Sequence, residues 1–227
     1  MMTMLIILFC LLIGGFLFYA SYSISSGVYL KVFCKAATTE KAVAITFDDG
    51  PDNRQTPLVL DILNQHNVEA AFFCIGEKAA QSPDLTRRIH DEGHLIGNHS
   101  FRHKGSFPLL SYRPMRADLI QTQQTLEAIT GSPVTLFRPP FGVTNPTIGR
   151  AVHSLGYKAI GWNIRSLDTK GEPVGKIMKR ITKQIHPGAV ILLHDRMPDS
   201  AELLTALLTY LHREGYAVKR VDKLLNI

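Results

Sequence analysis

The stretch Ala42-Val43-Ala44-Ile45-Thr46-Phe47-Asp48-Asp49-Gly50-Pro51 carries the reading of the whole chain. Ala42–Phe47 is a short apolar run closed by turn chemistry, which predicts a buried strand. Gly50-Pro51 ends it sharply. Two adjacent carboxylates at a strand tip repel each other unless something positive offsets them. Successive side chains diverge, so one carboxylate can hold a cation while the other faces a water. The competing reading makes Asp49 a simple turn cap, and the tetrapeptide taken alone favours it.

Downstream of this stretch, apolar runs and helical patterns alternate. Strand patterns recur at Ala70–Ile75, His94–Gly97, Val134–Phe137, Lys158–Trp162, Ala189–Leu193 and Ala217–Val221. Helical patterns fit between them at Pro57–His66, Pro83–Glu92, Pro114–Thr130, Pro146–Leu155, Pro173–Ile185 and Ser200–Arg213. Gly93 and Gly131 stand where helices end. Repeated β-then-α order predicts an α/β fold with a parallel sheet and helical crossovers. About seven strands predict a closed or nearly closed barrel smaller than the eightfold one. A doubly wound open sheet is the alternative. In either architecture functional groups gather past the C-terminal ends of strands. Asp48, Asp49, His99, Arg138, Asp168, His194 and Asp195 all fall at or soon after such ends.

With 227 residues, 45% hydrophobic and 19% charged, the chain suits one globular domain. A net charge of +6 could serve an anionic partner. Lys and Arg are scattered, however, with no basic run and no nucleic-acid motif, so they read as a solvated surface and nucleic acid is not expected. Cys10, Cys34 and Cys74 form no C-x-x-C and predict no disulfide framework. Cys34 is either a juxtamembrane lipidation site or idle.

Met4 to Ala20 carries no charge, and its length lies near the low end of the roughly 17–25 residues that cross a bilayer. We expect an anchor over residues 1–20, a linker over 21–40 and the domain over 41–227. A cleaved signal peptide competes, since Ser21-Tyr22-Ser23 offers small residues, but no Lys or Arg precedes the run. Lys31 and Lys35 follow the span, and the positive-inside rule alone would put them in the cytoplasm.

Three further stretches carry chemistry. In His99-Ser100-Phe101-Arg102-His103 the imidazoles stand at i and i+4, which on a helical turn would put them on one face. With a carboxylate from another strand end they make a two-His, one-Asp metal site; zinc is the default, and cobalt, nickel or iron also suit the ligands. Arg138-Pro139-Pro140-Phe141-Gly142 is rigid. It can aim the Phe141 N–H into a cleft and let Arg138 hold a carboxylate ionised. Its bland reading is a proline-rich turn. Leu192-Leu193-His194-Asp195 places an imidazole at a strand end as a proton donor. Asp195 is expected to be a structural partner.

Together, T-F-D-D-G-P, H-S-x-x-H, R-P-P-F-G and L-L-H-D, in this order from about Lys41 to Ile227, resemble the polysaccharide deacetylases with a NodB homology domain, carbohydrate esterase family 4. The resemblance extends to a membrane-anchored bacterial branch. It implies a distorted (β/α) barrel of about seven parallel strands with one divalent metal, zinc by default, held by Asp49, His99 and His103. It also implies Asp48 as general base, His194 as general acid, Arg138 as the partner of Asp48, and the Phe141 N–H as an oxyanion donor. The implied reaction is hydrolysis of N-acetyl groups on an acetylated amino-sugar polymer such as peptidoglycan or chitin-like oligomers. The expected place is the bacterial cell membrane, single-pass, with the domain outside the cytoplasm.

The fourth motif departs from the family. Arg165 stands where an Asp usually helps orient the catalytic His, and Thr169 where a Trp closes the motif. Arg cannot accept a hydrogen bond from imidazole, so Asp168 or another group must steady His194, or the acid step differs. Three alternatives follow: an O-acetyl esterase, a deacylase of lipid-linked sugars, and an inactive carbohydrate-binding protein. The last would show damage among Asp48, Asp49, His99, His103 and His194, and all are intact.

Overall fold

The computed structural model describes residues 1–227. In chain order the elements are α1 (Met2–Tyr22), β1 (Val32–Phe33), β2 (Ala42–Asp48), α2 (Gln55–Gln65), β3 (Ala71–Cys74), α3 (Gly76–Gln81) and α4 (Pro83–Asp91). Then follow β4 (Leu95–Asn98), α5 (Tyr112–Thr130), β5 (Leu136–Phe137), α6 (Pro146–Ser154), β6 (Lys158–Ile160), β7 (Ile164–Arg165), α7 (Val174–Thr182), β8 (Ala189–His194), α8 (Ser200–Arg213), β9 (Ala217–Val218) and α9 (Val221–Leu225). One sheet runs β1-β6-β5-β4-β3-β2-β8-β7, with β9 paired to β2, and every ladder is parallel. No ladder joins β7 to β1, so this distorted (β/α) barrel is open on one side. All seven expected strands are present, and β1 and β7 are two-residue additions.

The period of two sorts side chains between two cores. Val43, Ile45, Phe47, Phe72, Cys74, Ile191 and Leu193 point outward into the layer shared with the helices. Ala44, Ala71, Phe73, Leu136, Ile160 and Val190 point inward and fill the barrel. Continuing the inward parity to the strand tips reaches Thr46 and Asp48 on β2, Arg138 just past β5, and Leu192 and His194 on β8. Register sets Asp48 beside His194 across the β2–β8 ladder. Alternation thus delivers the polar groups to one end of one face.

Residues 21–40, expected as a linker, lie along the domain as far as Ala36, whose N–H bonds the Gly188 carbonyl at 2.8 Å. Val32 and Phe33 pair with Ala159 and Ile160. Ala20 and Ile24 are buried. Gly149 leaves room for the Tyr29 carbonyl, which would stand 2.1 Å from a Cβ there. Cys34 is buried with Sγ against Gly161, which fits an idle thiol. From Met2 to Tyr19 the whole of α1 is exposed.

Candidate active site

Asp49, His99 and His103 bring their ligand atoms within 4.8 Å of one another. Asp49 Oδ1 lies 3.5 Å from His99 Nε2 and 3.4 Å from His103 Nε2. Ligands about 2.0–2.1 Å from a tetrahedral ion stand roughly 3.3 Å apart, so the trio fits one cation. His99 Nδ1 donates to the Arg138 carbonyl at 2.8 Å, which turns Nε2 toward the other ligands. Burial, and then the neighbouring His99, push His103 down to about 4, so it is neutral at pH 7 as a ligand must be. Burial works to raise Asp49, but its bond to His99 and the imidazoles of His99, His103 and His194 hold it well below the usual carboxylate range.

The two histidines do not sit on a helical turn, and that part of the expectation is corrected. Residues 99–103 form an irregular loop in which Ser100 (φ 66°) and His103 (φ 48°) are left-handed. Other bonds hold it there: Asn98 Oδ1 accepts from Ser100 N, Asp118 from Phe101 N, and Ser100 Oγ from His103 N. Asp49 (φ 72°), Phe141 (φ 61°) and Leu167 (φ 57°) are left-handed too. Each such residue costs about 1–3 kcal/mol and persists only where its surroundings over-determine it.

Asp48 and Arg138 form a buried pair, Nη1 to Oδ1 at 2.6 Å. Arg138 is fully buried. Its remaining donors reach Thr46 Oγ1 at 2.9 Å, the Ile160 carbonyl at 3.0 Å and the Gly161 carbonyl at 2.8 Å. Its guanidinium lies 4.1 Å over the Phe73 ring and 5.5 Å over Trp162. Removing either member of such a pair typically costs about 3–5 kcal/mol, because the other charge is stranded.

Asp168 steadies His194. Its Oδ1 meets His194 Nδ1 at 2.7 Å and its Oδ2 accepts from the His194 N–H at 2.8 Å. Burial alone would lower the imidazole, but the Asp168 bond and charge, with Asp48 and Asp49 behind it, raise it. Left-handed Leu167 turns Asp168 toward β8. The Arg165 side chain is exposed and lies over Trp162. The Phe141 N–H has no partner within the protein, and the Phe141 ring packs on His103 at 4.5 Å between centroids. Asp195 is buried, accepts from Thr56 Oγ1 at 2.6 Å, and is pushed up to about 7 by burial. Gly50 is required there, since a Cβ would meet the Asp195 carboxylate at 2.2 Å.

A cavity of about 260 Å³ gathers Asp48, Asp49, His99, His103 and His194 with Phe141, Trp162, Arg165, Thr169 and Arg196. Three groups in or beside it were missed in the sequence. Arg196 Nε bonds Asp49 Oδ2 at 2.9 Å, and Lys78 Nζ bonds the Asp49 carbonyl at 2.7 Å. Trp162, the only Trp, lines the wall where Thr169 leaves space. Trp162 and Arg196 also stand just past strand ends, and that placement was the available signal.

The sequence profile of the polysaccharide deacetylases matches residues 35–160. The chain belongs to the polysaccharide deacetylase family. Within that family, the peptidoglycan-N-acetylmuramic acid deacetylase PdaA of Bacillus subtilis is 37% identical over 192 residues, covering 83% of this chain and 73% of the relative. The solved structure of Bacillus subtilis PdaA, a family 4 carbohydrate esterase, superposes with a TM-score of 0.78 at 33% identity over 89% of this chain and 87% of that one. The peptidoglycan-N-acetylglucosamine deacetylase PgdA of Listeria monocytogenes is 35% identical over 188 residues, covering 83% of this chain but 40% of the relative. The polysaccharide deacetylase fold also occurs in BA3943 of Bacillus anthracis, a CE4 family pseudoenzyme (TM-score 0.79, 28% identity, 84% of this chain and 67% of that one).

Proposed function

We propose that this chain, a hydrolase by family, removes N-acetyl groups from amino sugars of a peptidoglycan-type glycan with the help of one divalent metal. Because a pseudoenzyme shares the fold, the fold alone does not carry the proposal. What carries it is the convergence of Asp49, His99 and His103 beside Asp48, a carboxylate paired with the buried Arg138.

A divalent cation held by Asp49, His99 and His103, zinc by default, would supply positive charge that polarises the acyl carbonyl and acidifies a nearby water. Asp48, 3.8 Å from His99 Nε2, lies next to that cluster and accepts the water proton. Phe141 offers its unpartnered N–H to the oxyanion that develops on the carbonyl. His194, whose pKa the Asp168 bond and charge raise, donates its Nε2 proton to the departing amine. An amine leaves poorly without that proton, whereas an alcohol from an O-acetyl ester needs it less. The firm Asp168–His194 pair therefore favours the amide reading over the esterase.

We further propose that α1 anchors the chain in the bacterial membrane, with the domain outside the cytoplasm. At about 1.5 Å per residue its 21 residues extend roughly 31 Å, the thickness of a bilayer core. The test of the reaction is acetate release from peptidoglycan and chitin oligomers by the full chain. Chelation should abolish release and zinc should restore it. No release from any glycan in the metal-loaded protein would overturn the reading.

A further inference from the structure

The end of α1 is bonded into the loop that carries Phe141. Thr144 donates its N–H to the Ser21 carbonyl at 2.9 Å and its hydroxyl to the Ala20 carbonyl at 3.0 Å. Ile24 closes over Gly142 and Gly161, where added Cβ atoms would stand 3.8 and 3.2 Å from its Cδ1. Gly142 and Phe141 line the catalytic cavity. A free linker of fifteen or so residues would let the domain wander roughly 20 Å from its anchor. Here that slack is removed, because residues 20–36 are packed on the domain.

Tyr19 and Tyr22, at the end of α1, are the residues that usually mark the headgroup level. The Thr144 loop is bonded at the same height. Around this root the surface has the chemistry of a lipid contact. Asn145 bonds the Pro108 carbonyl at 2.7 Å and so places Leu109, 85% exposed, beside the loop. Phe141 and Val28 are exposed apolar side chains of the same neighbourhood. Arg113 at the start of α5 and Arg150 in the middle of α6 are exposed, Arg150 lying 4.3 Å over Tyr112. The catalytic cavity itself carries a cationic group that the reaction does not use, Arg165, which has no carboxylate partner.

We propose that the site meets its amino sugar at the membrane surface, on glycan still joined to a lipid phosphate carrier, with Arg165 facing the phosphate. The inference rests on the deacetylase reading and on α1 as an anchor, and narrows the substrate class. The full chain would be placed in phospholipid vesicles and offered one sugar in two forms. One is N-acetylglucosamine on a lipid diphosphate in the same bilayer, and the other is soluble chitotetraose. Acetate release from the lipid-linked form should be faster by at least about tenfold at equal bulk concentration, as membrane confinement of both partners predicts. Leu109→Glu should slow that release by about tenfold, the worth of one buried apolar side chain, and leave chitotetraose hydrolysis as it was. Equal or faster hydrolysis of chitotetraose, or a Leu109→Glu variant that treats both forms alike, would overturn the inference while the deacetylase reading stands. Release from neither form would overturn both.

Discussion

The barrel has a cavity at each end, and they are close in size. The one past the C-terminal strand ends holds about 260 Å³, and the one at the starts of β4 and β5 about 200 Å³. Both contain histidines. At the lower end His94 accepts from the Ala70 N–H at 3.1 Å, its Nε2 is buried without a partner, and burial lowers its pKa. His90 bonds Ser132. No carboxylate approaches either ring to within ion-pair distance. At the upper end each imidazole faces Asp49, and the carboxylates are in turn held by Arg138, Arg196 or a backbone donor. Backbone strain follows the same division. Seven non-glycine residues have positive φ, and five of them, Asp49, Ser100, His103, Phe141 and Leu167, surround the upper cavity. The other two are Asn67 and Asn226, a residue type that tolerates the conformation. Volume does not distinguish a working end from a filled one; directed polar groups held at a conformational cost do.

The contrast can be broken most directly at Asp48. Asp48→Asn should lower kcat by about 10²–10⁴-fold, the usual worth of a general base. Metal content by atomic absorption should be unchanged, because Asp48 is not among the ligands. Asp168→Asn should lower kcat by roughly 10- to 10²-fold. Asp168 raises the His194 pKa, so its loss leaves less imidazolium at a given pH, and the alkaline limb of the kcat profile should move to lower pH. An unmoved limb would mean that His194 does not supply the proton. Gly50→Ala should cost about 1–3 kcal/mol in urea unfolding, since the added methyl displaces the Asp195 carboxylate. His94→Gln at the lower end should leave kcat/KM unchanged and cost about 1 kcal/mol for its bond to Ala70. A loss of activity there would erase the distinction between the two ends.

Much of the upper end was legible in the sequence because strands impose a parity. Once Ala42–Phe47 is a strand, Thr46 and Asp48 share a face. The same count on β8 brings in His194, and the tip of β5, three strands from β2, brings in Arg138. The helix boundaries followed from Pro and Gly positions and held to within about three residues, the usual uncertainty of such ends. The His99–His103 pair was legible as a pair but not as a geometry. A helix offers i, i+4 proximity cheaply, whereas this loop reaches it through two left-handed residues that no local pattern encodes. Asp168 was one candidate among several, and the turn at Leu167 decides for it. Arg196, Lys78 and Trp162 were missed because each acts through tertiary proximity rather than a motif. The two-residue strands β1 and β7 are too short to show any alternation.

The seam between Thr144 and the end of α1 sets where a soluble version of this protein can begin. A chain started at Ser23 would lose both carbonyls to which Thr144 donates, leaving the Phe141 loop tied down by fewer bonds and free to drift. One started a few residues before Ala20 would keep the last turn as a clasp and shed most of the greasy surface. Two preparations of the same barrel, differing by a handful of N-terminal residues, should therefore differ in turnover although neither has a changed catalytic group.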